Sequence, residues 1–128
     1  MDASQLHYFF SPGELNDVYI YFPDPWPKKR AWKHRLIQTE FLEVLWSLQA
    51  PGSRVEIKTD DRPYFDWILE RAEASKYFPE RTSFDLHRSE WAAENYQTHF
   101  EKLWTRKGLP THYLRLRRNL APKGVTHA

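Results

Sequence analysis

The sequence predicts an α/β fold built on a parallel sheet. Three observations carry this. Residues 18–22 (VYIYF) and 54–58 (RVEIK) have strand character, the first as a β-branched and aromatic run, the second by alternation. Each is followed by a loop and then by apolar residues at helical spacing. Breaker residues Pro23 and Pro51-Gly52 fall between the segments, and Pro63 falls at the start of one rather than in its middle. The order strand, helix, strand, helix is a βαβα unit, which implies right-handed crossovers.

The elements follow in order. Residues 1–16 read as a short helix or irregular segment closing at Pro12-Gly13. Residues 18–22 read as a strand buried on both faces, as in a parallel sheet, ended by Pro23. Residues 39–49 form the clearest helix. Thr39 is the expected N-cap, Glu40 and Glu43 suit the first turns, and Ile37, Phe41, Leu45 and Leu48 recur at helical spacing. The strand at 54–58 leads into Thr59-Asp60-Asp61. Asp61 is placed to cap the next helix, Pro63 is tolerated in its first turn, and Tyr64, Ile68, Leu69 and Ala72 mark an apolar face. Residues 82–87 read as a further strand. Residues 92–106 read as a loop and then a helix with Phe100, Leu103 and Trp104 on one face, ended by Gly108. Residues 111–116 (THYLRL) alternate and are expected to form an antiparallel edge strand. Residues 119–128 read as a tail, leaving residues 1–118 as the domain.

Composition narrows the class. The chain has 128 residues, 41% hydrophobic and 28% charged, which is the balance of one globular domain. It has no cysteine, so disulfides, thiolate zinc sites and a cysteine nucleophile are excluded, and a cytoplasmic location is expected. No apolar run reaches bilayer length. The six histidines lack metal-ligand spacing, so no metal is expected, and four scattered glycines make no phosphate loop. Net charge is only +2, but its distribution is uneven. Lys28, Lys29, Arg30, Lys33 and Arg35 crowd into residues 28–35 without an acid. Arg106, Lys107, Arg115, Arg117 and Arg118 form a second acid-free cluster. Two such patches on a near-neutral body suit contact with phosphates.

The most informative stretch is residues 17–35, DVYIYFPDPWPKKRAWKHR. A strand runs into three prolines that frame Asp24 and Trp26, and a cationic run follows, which suits a site acting on nucleic acid and equally an edge strand with a proline stop and a solvated basic loop. Ligands of doubly wound sheets bind beyond the carboxyl ends of the strands. Asp24 and Asp60 each follow a strand, so both belong on one rim. Asp60 is equally compatible with a plain capping turn. Thr98 and Glu101 share a helix face by their spacing, though taken alone the pair reads first as a capping box. From the residues alone the chain is an α/β domain with an acidic rim and a basic ramp acting on nucleic acid.

YFPDPWPKKR (21–30), KTDDRPYF (58–65) and THFE (98–101), in that order and followed by Gly108, resemble the bacterial tRNA (guanine-N7)-methyltransferase family. The resemblance runs from Asp2 to about Arg117 and covers the later half of that family's enzymes. It implies the C-terminal half of a Rossmann-like class I methyltransferase fold that uses S-adenosylmethionine. The glycine-rich cofactor loop lies earlier in such chains, so a truncated or partial sequence is expected. By position, Asp24 is the catalytic aspartate and a cofactor contact. Asp2 is a second cofactor contact. Lys28, Asp60, Thr98, His99, Phe100 and Glu101 bind the substrate. Lys29, Arg30, Lys33 and Arg35 are assigned to the RNA backbone. The chain departs from the family at Ala31-Trp32, where a histidine often follows the arginine. The implied partner is tRNA, with no membrane and no metal, and the protein is expected to be a monomer. Two other readings stay open: an RNA-binding module without catalysis, and an inactive fragment with an open sheet edge at residues 18–22.

Overall fold

The computed structural model describes residues 3–94, 101–102 and 108–119. After a 3-10 turn at Ala3–Tyr8 come β1 (Val18–Tyr21), a second 3-10 segment (Lys29–His34), α1 (Thr39–Leu48), β2 (Arg54–Thr59), α2 (Arg62–Glu73), β3 (Phe78–Ser83) and β4 (His112–Arg117). The strands make one sheet in the order β1-β2-β4-β3. β1 and β2 are parallel, with Val18 opposite Val55 and Ile20 opposite Ile57. β4 is antiparallel to both of its neighbours.

The alternation of β1, β2 and β4 sends Ile20, Val55, Ile57, Leu114 and Leu116 to one face. There they join Phe41, Leu42 and Leu45 of α1 and Tyr64, Phe65, Ile68 and Ala72 of α2 in a single core. Burying each such side chain stabilises the fold by about 1.5–3 kcal/mol, so this face dominates the packing. The opposite face carries Tyr19, Tyr21, Glu56, Lys58, Tyr113 and Arg115, which line a 240 Å³ hollow with Leu86 and Trp91.

Three sequence expectations are corrected. β1 is an edge strand rather than one buried on both faces: Tyr19 and Tyr21 are 53% and 38% exposed, while Ile20 is 8% exposed. Aromatic and β-branched residues on both faces made it look like a buried strand, but only its Ile20 side meets the helices. β4 is antiparallel as expected but lies inside the sheet. The edge is β3, which begins four residues before the expected segment at 82. β3 (FPERTS) is polar and carries Pro79 beside a bulge between Pro79 and Arg81. Such a sequence gives little strand signal, and an edge position is where a proline is tolerated. Finally, Gln38 occupies the cap position of α1, and Thr39 is its first residue. Gln38 makes no cap bond; its Nε2 donates instead to the carbonyls of Trp32 and Arg35.

The βαβα order and the capping of α2 by Asp61 stand as read. The Asp61 Oδ2 accepts from the Tyr64 N–H at 2.8 Å, with Pro63 in the first turn. Of the residues expected in a tail, only Asn119 is described. The expected helix after residue 92 also falls largely outside the described residues.

Candidate active site

The two parallel strands end side by side, and their carboxyl ends create the site. The Phe22 N–H still donates to the Lys58 carbonyl at 2.7 Å, so pairing continues one residue past β1. The chain then turns sharply. Phe22 and Trp26 both adopt positive φ, 53° and 43°. Bulky side chains rarely occupy that region, and two of them within five residues mark stored backbone strain. Between them Asp24 is exposed, and its Oδ1 accepts from the Trp26 N–H at 3.1 Å.

Beyond β2, Asp60 is exposed as well. Tyr21, Phe22, Pro23, Asp24 and Pro25 from one loop and Asp60 and Asp61 from the other line a hollow of 670 Å³. The expectation that the two strand-end acids share a rim therefore holds. Among the described residues the lining includes three carboxylates and no lysine or arginine.

The ramp is split by the fold. Lys28, Lys29, Arg30 and Lys33 are exposed, the last three on the 3-10 segment after the loop. Arg35, also assigned to the RNA backbone, is only 3% exposed. Its Nε donates to the Pro25 carbonyl at 2.7 Å. Its guanidinium carbon lies 4.8 Å from the Trp32 ring, 5.0 Å from Tyr64 and 4.8 Å from Trp67. An arginine enclosed by three aromatic rings is held by cation–π attraction. Burial holds its guanidinium below the usual arginine range. The three described members of the second basic cluster have internal partners as well. Arg115 pairs with Glu56 at 2.5 Å, Arg117 with Glu80 at 2.6 Å, and Arg118 lies over Trp46. Arg106 and Lys107 lie outside the described residues.

Glu101 is fully buried. Its Oε1 meets the Lys58 Nζ at 2.7 Å, and its Oε2 lies 3.2 Å from the His87 Nε2. Sequence reasoning missed both partners, because an alternating strand gives no sign that its lysine is buried, and the contact spans 43 residues. Asp2, Thr98, His99 and Phe100 lie outside the described residues. Trp26, 37% exposed, stands 5.1 Å from the His34 ring.

A parallel strand pair opening onto an acidic rim, with helices packed on one face, defines a partial α/β sheet with its site beyond the carboxyl ends of the strands. The chain belongs to the family described as "Putative methyltransferase", whose profile matches residues 1–114. A tRNA (guanine-N(7)-)-methyltransferase of Bdellovibrio bacteriovorus is 38% identical over 116 residues, which is 91% of this chain and 56% of that protein. The enzyme of the same name from Lachnoclostridium phytofermentans is 37% identical over 113 residues, 88% of this chain and 53% of that one. The chain thus spans about half the length of the curated relatives it matches. Among solved structures, a Thermus thermophilus protein described as "Putative DNA Modification Methylase" superposes with a TM-score of 0.56 at 14% identity, over 100% of this chain and 55% of that one. That likeness concerns the fold.

Proposed function

We propose that the rim formed by Asp24 and Asp60 is the acceptor side of a site that transfers a methyl group from S-adenosylmethionine to N7 of a guanine in tRNA, in the cytoplasm. The observation that carries this reading is charge segregation. An acid-lined hollow lies beside four exposed cations on the next turn of the chain. The similarity to enzymes named for this reaction agrees with it.

The residues fit the group such a reaction requires. S-adenosylmethionine supplies an electrophilic methyl on a positively charged sulfur. A rim whose described lining offers carboxylates and no competing lysine or arginine attracts such a cation. Asp24 and Asp2 are the residues assigned to hold it.

Guanine N7 carries a free lone pair at neutral pH, so the rim's task is alignment more than proton removal. The acceptor base gains positive charge as it is methylated, and Asp24 stabilises that charge. Asp60 accepts hydrogen bonds from the N1–H and amino group that distinguish guanine from adenine. The resemblance gives Glu101 a place in substrate binding too. Its engagement with Lys58 and His87 gives it a second task, anchoring its own stretch of chain to β2. Trp26 offers a ring on which a displaced base stacks. Lys28, Lys29, Arg30 and Lys33 hold the phosphates.

The test is transfer of labelled methyl to an unmodified tRNA transcript, with the product located by nucleoside mass spectrometry. Asp24→Asn is expected to lower kcat on the order of a hundred-fold, the scale of losing one electrostatic partner of the transition state. Full transfer by Asp24→Asn, or methyl on an atom other than N7, overturns the proposal. The second reading, RNA binding without transfer, draws on the cationic turn, whose exposed side chains need no cofactor. Calorimetric titration separates the two, since tight tRNA binding without S-adenosylmethionine binding favours the second.

A further inference from the structure

Arg35 is a buried cation that the proposed chemistry leaves unused, and it joins the two acid-bearing loops. On one side its Nε holds the carbonyl of Pro25, the residue after Asp24. On the other its guanidinium packs on Tyr64 and Trp67, both on α2, the helix that starts directly after Asp60-Asp61.

Its surroundings are fixed by further bonds. The Trp32 Nε1 donates to the Pro27 carbonyl at 3.2 Å, and the Trp67 Nε1 to the Ile37 carbonyl at 2.9 Å. The Ile37 N–H donates to the Tyr64 hydroxyl at 3.2 Å. Gln38 closes the Trp32 and Arg35 carbonyls from the other side. The Asp24 loop carries two aromatic residues at positive φ, a conformation that persists only when its surroundings over-determine it. Among the described residues, Arg35 and Trp32 supply the side-chain bonds that tie residues 25–27 to the following turn.

We propose that Arg35 is a positioning residue: it clamps the strained Phe22–Trp26 loop against α2 and so fixes Asp24 relative to Asp60. Trp32, where the chain departs from the resembling family's pattern, supplies one wall of the clamp. The clamp itself is a property of the loop. Its consequence for methyl transfer rests on the function proposed above. A lysine retains the charge but loses the planar fork and its ring-stacking geometry. Arg35→Lys therefore separates clamp from charge.

The experiment joins a local and a kinetic readout, with urea unfolding as the check on the fold. In the unsubstituted protein, the Arg35 Nε–H is expected to exchange slowly with solvent. Rapid exchange overturns the clamp without any variant. In folded Arg35→Lys, the Trp26–His34 ring contact is expected to disappear from nuclear Overhauser spectra. For methyl transfer, kcat is expected to fall on the order of ten-fold while the KM for tRNA stays within about two-fold, because alignment is lost and phosphate contact is not. A raised KM with unchanged kcat identifies Arg35 as a phosphate contact after all and overturns the proposal. Unchanged kcat and KM with the ring contact retained also overturn it. If the unsubstituted protein transfers no methyl group, the function proposed above fails. The exchange and ring-contact readouts still decide the clamp.

Discussion

The ammonium of Lys58 and the carboxylate of Glu101 meet at 2.7 Å with neither side chain more than 3% exposed. One comes from the middle of the sheet, the other from the motif THFE. A buried pair of this kind adds little net stability over an apolar substitute, but an unpaired member is costly. Its consequence here is register: the segment carrying Glu101 is tied to β2 two residues before Asp60.

Removing one partner should therefore cost more than removing both. Lys58→Met leaves the Glu101 carboxylate buried without its lysine, and a loss of about 3–5 kcal/mol is expected. Lys58→Met combined with Glu101→Leu should recover much of that loss. Urea titrations of the two single variants and the double variant give the coupling directly. A double variant as unstable as the sum of the singles would deny the pairing.

Tyr113 offers a pH dependence with a defined sign. It is 4% exposed, and burial, with the Glu56 carboxylate beside it, pushes its hydroxyl up to about 12 from an ordinary 10. The folded state thus holds the proton more tightly than the unfolded chain. This stabilisation is fully present below pH 10 and is lost as pH rises from 10 through 12. Each tenfold difference in proton affinity is worth about 1.4 kcal/mol, so the loss is on the order of 2–3 kcal/mol. Burial raises the hydroxyls of Tyr21, Tyr64 and Tyr77 as well, so Tyr113→Phe should make the alkaline limb shallower by its own share, leaving the profile below pH 10 parallel to the unsubstituted one. Unfolding free energies measured from pH 8 to pH 12 check this.

The neighbouring acids Asp60 and Asp61 divide an exposed and a structural position. Asp61 caps α2 through the Tyr64 N–H, whereas Asp60 is exposed on the rim. Asp61→Ala should destabilise the protein by about 1 kcal/mol, the usual cost of a lost N-cap. Asp60→Ala should stay within about 0.5 kcal/mol, as surface substitutions do. Thermal unfolding of the two variants side by side distinguishes them. Equal losses would mean that the capping assignment is wrong.

The two acids also mark what was legible in the sequence. Local signals were readable: the proline stop after β1, the Asp61 cap, the apolar spacing of α1 and α2, and the rule that places Asp24 and Asp60 on one rim. Position within the sheet was not. β1 has apolar residues on both faces, so it reads as central, but those of its outer face reach the hollow rather than a helix. β3 hides because FPERTS owes its strand state to pairing with β4 rather than to its own residues. Charges were the least legible. Arg35 and Lys33 are both cations in one basic run, yet one sits among three aromatic rings and the other is exposed. That difference depends on Tyr64 and Trp67 arriving from a helix much later in the chain.

That same difference makes the ramp testable by salt. Each cation that neutralises a phosphate releases counterions, and for single-stranded contacts the slope of log affinity against log salt changes by about 0.7 per contact. Lys28, Lys29, Arg30 and Lys33 are exposed, so alanine at any one of them should weaken tRNA binding and flatten the slope by about that amount. Arg35→Lys should leave the slope unchanged, because Arg35 is enclosed. Arg115, paired with Glu56 on the sheet, is expected to contribute nothing to the slope. Binding isotherms at several salt concentrations, with one transcript throughout, provide the comparison. A slope insensitive to all four exposed cations would remove the ramp from the RNA interface, whatever the rim does.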